Sequence, residues 1–353
     1  MFAPSTYMAR RKTLCEKIGS GLILLPGNTF SPNNYPNNAY YFRQDSTFRY
    51  FFGLNNPTLM GLIDAETGEA ALYGDDFTVE DIIWTGPQPT LRELGAEVGV
   101  EKSYPFATLF DHLAEAIRLG RRVHYLPPYR GDHKLWLAEL LGKQPHELAA
   151  GSSVPFIRAV VNQRNYKSDE EIVQIEEAIN TSVEMHKTAM RIVRPGIKES
   201  EVAAAVTEVA MRDGGGLSFP VIATINGQTL HNHCHSNVLK EGQLFLLDAG
   251  AENTMHYAGD LTSTMPVSGR FTERQKMVYD INLRAYRTAV AALRPGITYR
   301  EVHMMAVTEI CKGMKELGLL KGDPAEAANV GAYALFMPHG LGHNMGMDVH
   351  DME

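Results

Sequence analysis

The sequence predicts an α+β protein of two domains: an N-terminal α/β domain over residues 1–165, then an α+β domain over 166–353 made of two related halves. Three observations carry this. The 353 residues exceed what one ordinary hydrophobic core organises. Ser168 with Glu171 three residues later is the reciprocal capping pattern that opens a helix. An internal repeat follows: RPGI at 194–197 returns at 294–297, Glu201-Val202 returns as Glu301-Val302, and AVTE at 205–208 returns at 306–309. Each copy ends one long helix and opens another. Matched flanks argue for a duplicated supersecondary unit about a pseudo-twofold axis, against chance recurrence of a common helix stop. A site between such halves would draw ligands from both.

In chain order, Ser5 is expected to cap a helix running through Cys15, and GLILLP (21–26) to form a short buried strand. Residues 27–40, rich in Asn and broken by Pro32 and Pro36, read as a loop. TLMGLIDAETGEAALYG (58–74) reads as a hairpin turning near Thr67-Gly68. Helices and strands alternate from there to about residue 160. In the helix after Ser168, Ile172, Ile175, Ile179, Val183, His186 and Met190 recur at steps of three or four, which predicts one buried face. Arg194-Pro195-Gly196 stops that helix.

The 44% apolar and 21% charged content is that of an ordinary globular protein. A net charge of −8 argues against nucleic acid as a partner and against a basic membrane-binding surface. Three distant cysteines, Cys15, Cys234 and Cys311, suggest no disulfide framework. The N-terminus lacks the apolar core of a signal peptide, and no apolar run reaches the roughly 20 residues needed to span a bilayer. The expected location is cytoplasmic.

Chemistry concentrates in LFLLDAGAENTMHYAGDLTSTMPV, 244–267. LFLLD is a buried strand ending in a carboxylate, and GDLTSTM alternates, with Asp260, Thr262 and Thr264 on one face. A hairpin between them would bring Asp248 beside Asp260. Two aspartates on adjoining apolar strands do not both stay ionised uncompensated, so either one is protonated or a cation lies between them. The alternative is two exposed strand ends that never meet. His343, in HGLGH, would complete an oxygen-and-imidazole donor set suited to Mn2+, Co2+ or Zn2+, although a glycine-flanked histidine taken alone is more often structural. HNHCH (231–235) is a rival cluster, because on an extended strand His231, His233 and His235 would share one face and chelate; the alternative is a polar pocket lining or solvated residues.

These stretches resemble the Xaa-Pro aminopeptidases (aminopeptidase P), within the pita-bread metallopeptidases that include prolidase and methionine aminopeptidase. The carrying segments are LLDAG…YAGDLTSTMPVSGRF, HGLGHNMGMDVHD, TLHNHCHSNVLKEGQ, FRQDSTFRYFFGLNNP and IIWTGPQ, spread over nearly the whole chain. The resemblance implies a creatinase/prolidase-like N-terminal domain before a pita-bread catalytic domain. It implies that Asp248, Asp260 and His343 hold two divalent ions, Mn2+ foremost, with Asp260 bridging. It implies that His231 and His350 are catalytic, that His339 lines the proline-side pocket, and that Trp84 is a substrate-side residue reaching a neighbouring subunit's site. The implied substrates are peptides with proline at the second position, and the implied assembly is a homo-oligomer, dimer or tetramer.

The resemblance also implies two glutamate ligands after the HD motif. The chain ends at Glu353, before either, so the expectation is a pita-bread domain truncated at its C-terminus and inactive as it stands, with a natural short form as the alternative. Prolidase activity on dipeptides and a non-catalytic binding module are the other functional readings. Creatinase shares the fold without metals, and the paired aspartates argue against it.

Overall fold

The computed structural model describes residues 1–352. The chain divides into two compact units, Met1–Ile172 and Val173–Asp351.

The first unit opens with α1 (Pro4–Ile18) and β1 (Leu22–Pro26). Ala3, not Ser5, is the N-cap of α1 and makes no side-chain cap bond. Pro4 takes the first helical position, where its missing N–H is no loss, and this places Ser5 inside the first turn. Residues 27–40 are not purely loop: β2 (Pro32–Tyr35) and β3 (Asn38–Ala39) form a small exposed hairpin. Then come α2 (Ser46–Phe52), β4 (Met60–Asp64), β5 (Ala70–Tyr73), α3 (Val79–Thr85), α4 (Leu91–Glu97), β6 (Lys102–Tyr104), α5 (Thr108–Arg118), β7 (Val123–His124), α6 (Gly131–Leu141) and α7 (Val154–Arg164). The β4–β5 hairpin turns at Gly68, φ 76°, where glycine has no Cβ penalty.

The sheet order is β6-β5-β4-β1-β7. The inner pairs are antiparallel and the two edge pairs parallel. Leu22, Leu24 and Leu62 from the strands pack against Leu109 and Leu113 of α5 and Leu137 of α6. Arg10 and Arg11 are buried, and their guanidinium groups donate to the carbonyls of Tyr50, Phe51, Val98 and Gly99.

The helix α8 (Asp169–Ile192) starts with the expected box. Ser168 N–H donates to the Glu171 carboxylate, and Glu171 N–H donates to the Ser168 hydroxyl. Its buried stripe is rotated from the expected one. Ile175, Ala178, Ser182, Met185, His186 and Ala189 are buried, whereas Ile172 and Met190 are exposed. Small residues hold the inner line because Gly259 is pressed against the helix. A Cβ at 259 would overlap the Ser182 hydroxyl and the Ala178 carbonyl.

The second unit continues with α9 (Glu199–Arg212), β8 (Gly216–Leu217), β9 (Ile222–Thr224), β10 (Leu244–Ala249), β11 (Ala251–Glu252), β12 (Leu261–Pro266), α10 (Glu273–Ala292), α11 (Tyr299–Glu316) and α12 (Pro324–Asn329). An antiparallel sheet, β12-β10-β9, is its centre, with β8 and β11 pairing separately. Val202, Val206 and Val209 of α9 and Met185 and Ala189 of α8 pack with Phe245 and Leu247 of β10. A separate core joins α10 to α11 through Ile281, Ala285, Val302, Ala306 and Ile310. Among the described residues no helix is long and apolar enough to cross a membrane.

Candidate metal centre

β10 alternates partly and fully buried positions, and its partly buried side carries Asp248. In the antiparallel register Asp248 lies opposite Thr262 and Ala249 opposite Leu261, so Asp260 enters just ahead of β12. The segment between the strands closes tightly. Gly259 N–H donates to Ala251 O at 2.8 Å, and a Cβ at 250 would overlap the Gly259 carbonyl. Glycine is required at 250 for the two backbones to come this close, and at 259 for α8 to approach.

The two aspartates therefore meet. Burial pushes the Asp248 carboxyl up to about 6, and the neighbouring Asp260 carboxylate, which also shares a hydrogen bond with it, adds to the rise. The Thr262 hydroxyl and the His231 side chain act in the opposite direction. Asp248 Oδ1 is buried and has no hydrogen-bond partner. A buried, unsatisfied carboxylate oxygen is costly unless something electropositive approaches it.

His343 faces Asp260, with Nε2 3.1 Å from Oδ2. Its Nδ1–H donates to the Asn344 carbonyl at 3.0 Å, which fixes the ring and presents Nε2 to the carboxylate. The His350 ring stacks on His343, with centroids 3.8 Å apart and planes 13° from parallel. The structure thus joins Asp248 to Asp260, Asp260 to His343, and His343 to His350. The contacts are pairwise: among the described residues no group of three or more His, Cys, Asp or Glu side chains closes to metal-holding geometry. Two carboxylates, one with an orphaned buried oxygen, and an oriented imidazole fit a divalent cation of the Mn2+, Co2+ or Zn2+ type.

His231 lies in an exposed turn, close enough for its charge to act on Asp248. The HNHCH segment is irregular, not a strand. His235 Nε2 is bonded to the Val221 carbonyl at 3.0 Å, and His233 is exposed. The shared face expected of the three histidines does not form, because the chain here is held by its ends instead of by a strand partner. His339 is exposed, with Nδ1 2.8 Å from the adjacent Gly340 carbonyl. Trp84, in the first unit, is 81% exposed on α3, a helix with no buried residue.

Two positioning features were not singled out from the sequence. Glu199, fully buried at the start of α9, accepts from Ile225 N–H (2.8 Å), Asn237 N–H (3.1 Å) and the Asn237 side-chain amide (2.9 Å). It pinches together the two ends of the segment that carries His231. The only sequence signal was an acidic residue in a first helical turn, which ordinarily reads as a solvated helix start. His186 falls in the apolar stripe that periodicity predicts, yet both of its ring nitrogens are hydrogen-bonded.

The chain is similar to known proteins over nearly its whole length. Residues 173–353 match the family model for metallopeptidase family M24, and residues 7–125 match the aminopeptidase P N-terminal domain. A probable Xaa-Pro aminopeptidase of Chaetomium globosum is 31% identical over 99% of this chain and 58% of its own length. The Xaa-Pro aminopeptidase of Escherichia coli is 30% identical over 98% of this chain and 81% of its own length. The solved structure of Pseudomonas aeruginosa aminopeptidase PepP superposes with a TM-score of 0.89 at 29% identity, covering 99% of this chain and 81% of that one. The fold is α+β, an aminopeptidase P N-terminal domain followed by a pita-bread domain, and the chain belongs to metallopeptidase family M24.

Proposed function

We propose that the protein is a metal-dependent aminopeptidase that releases the N-terminal residue from peptides with proline at the second position. The observation that carries this is the buried, unpartnered Asp248 Oδ1 beside Asp260, in a chain of this family. Asp248, Asp260 and His343 would hold the cations, Asp260 as the bridge. Two divalent ions, Mn2+ foremost with Co2+ or Zn2+ as alternatives, would supply a water activated toward hydroxide and Lewis acidity at the scissile carbonyl.

The chain's own residues do the rest. His343 keeps Nε2 turned inward through its Nδ1–H bond to Asn344. His350, held flat against His343, would donate a hydrogen bond to the carbonyl oxygen as negative charge develops there. His231 would act on the departing amine. The amide before proline has no N–H, so recognition rests on a pocket shaped to the ring, with His339 on its wall. The exposed apolar residues of α3, Val79, Ile83 and Trp84, support self-association into a dimer or tetramer, with Trp84 serving a neighbouring subunit. A cytoplasmic location belongs to the same proposal.

A non-catalytic binding module is the second reading, favoured by the lack of a closed three-residue group among the described residues.

Metal analysis separates the two readings. Asp260→Ala should empty the site, because without a bridging carboxylate the repulsion between two cations is uncompensated. His350→Ala should keep its metal and, in any preparation that hydrolyses an Xaa-Pro-Xaa peptide, lower kcat roughly 10²–10³-fold. Metal loss from His350→Ala as complete as from Asp260→Ala would refute the role given to His350. A wild-type chain that binds no Mn2+, Co2+ or Zn2+ would refute the enzyme reading.

A further inference from the structure

His186 sits under the sheet that carries the two aspartates. Its Nε2 lies 3.1 Å from the Ala249 carbonyl of β10, and its Nδ1 lies 2.8 Å from the Ser263 hydroxyl of β12. A carbonyl only accepts, so Nε2 carries the proton and Nδ1 accepts from Ser263. Burial holds the imidazole below its ordinary range, which keeps this neutral tautomer. One ring from α8 therefore ties β10, which carries Asp248, to β12, which Asp260 immediately precedes. The tie falls one residue past Asp248 and three past Asp260.

Side chains alternate across a sheet. Asp248 pairs with Thr262, and Leu247 with Ser263, so the tie is made from the face opposite the carboxylates. Ser182, one helical turn earlier in α8, adds a second rung: its hydroxyl accepts from Ala251 N–H at 3.0 Å and donates to the Ala178 carbonyl at 2.8 Å. Between these rungs lie the close glycine contacts at 250 and 259. A helix bonded to both strands at the point where they must hold two like-charged groups together does more than fill a core.

We propose that His186 is a positioning residue, which locks β10 against β12 from beneath and so sets the separation of the Asp248 and Asp260 carboxylates for divalent-cation binding. The inference rests on the metal reading of the site.

The test uses the 353-residue chain with Co2+ as probe. It reads the dissociation constant by calorimetry and the visible d–d absorption as a report of coordination, with circular dichroism to verify folding at the working temperature. His186→Phe keeps a ring in the core but loses both bonds. It is expected to weaken Co2+ about 10- to 100-fold, the usual cost of losing a group that orients a ligand, and to alter the d–d bands. His186→Gln offers an amide donor and a carbonyl acceptor and should recover affinity and spectrum most of the way. A general loss of stability would lower the melting temperature in both variants and leave the Co2+ spectrum of the folded protein unchanged.

A folded His186→Phe with wild-type affinity and spectrum overturns the proposal. If that variant does not fold, Ser263→Ala decides: it removes only the hydroxyl partner of Nδ1 and should shift affinity and spectrum in the same direction by less, and wild-type values there overturn the proposal equally. Absence of Co2+ binding by the wild-type chain would instead fell the metal reading, and this inference with it.

Discussion

The two copies of the repeat fold alike and are used differently. In both, the arginine of RPG reaches back to a helix-end carbonyl, Arg194 to Ile192 at 3.0 Å and Arg294 to Ala292 at 3.2 Å. Gly196 and Gly296 both turn with φ 90°. In both, a first-turn glutamate accepts from the cap residue, Glu201 from Lys198 N–H and Glu301 from Thr298 N–H. Thr207 and Thr308 each donate back to the carbonyl four residues earlier. The copies part at the first helical position. Glu199 is fully buried and clamps a loop, whereas Tyr299 is 49% exposed. The helices of the first copy pack on the sheet that carries Asp248, while those of the second pack on each other. The motif specifies a turn and a helix start, and the neighbours of the helix decide what the first turn does.

The largest effect expected from this contrast is at its point of divergence. Glu199→Leu leaves three partly buried nitrogen donors without their acceptor, and a buried group left unsatisfied costs about 1–3 kcal/mol. A loss of at least ~2 kcal/mol in urea unfolding is expected. Tyr299→Leu should change stability by less than about 0.5 kcal/mol, as an exposed substitution does. Equal costs at the two positions would erase the distinction.

Acidity should sharpen the comparison next, because only the first copy's sheet carries the aspartate pair. The folded carboxyl of Asp248 is raised to about 6, above the ~3.9 of an unfolded chain. The folded state then holds the proton more tightly, so its contribution is fully present below about pH 3.9. It is lost as pH rises through about 6. Allowing for partial exposure, metal-free protein should lose on the order of 2 kcal/mol across that window. Asp248→Asn should flatten the profile, and a stability that rises with pH through the same window by way of Asp248 would contradict the environment described.

The effect at the two turn glycines should be shared. Gly196→Ala and Gly296→Ala meet no neighbouring atom within 4 Å, so the cost is backbone strain alone, roughly 1–2 kcal/mol at each. The two values should agree closely. A clear inequality would mean that the turns are less equivalent than their bonds indicate.

The repeat, the Ser168–Glu171 box and the strand pair bearing Asp248 and Asp260 were legible in the sequence because each is a local pattern with one physical meaning. The inner line of α8 was not. Apolar periodicity chose Ile172, Ile179, Val183 and Met190, but what the sheet presents to the helix is the Gly259 backbone, and that surface admits Ala178 and Ser182. Periodicity reports which residues avoid water, not what they meet. Glu199 escaped for a related reason: its donors come from residues 225 and 237, far along the chain. HNHCH misled because alternation implies a shared face only where a strand partner exists, and this segment has none among the described residues. The hairpin at 32–39 was hidden by Asn and Pro, which mark turns but also tolerate a short exposed edge.

The clamp at Glu199 makes the stretch from Ile225 to Asn237 behave as a cassette. Its two ends are joined by one carboxylate, and its interior, including His231, His233 and Cys234, is largely in solvent. Insertions at the exposed positions 228–230 spare the packing of β9, β10 and α9, since loop closure entropy grows only slowly with length, whereas Gly227, Asn232 and His235 are held by Leu246, Thr224 and Val221. Selection, or a library, can therefore change what borders the aspartate pair without renegotiating the scaffold beneath it.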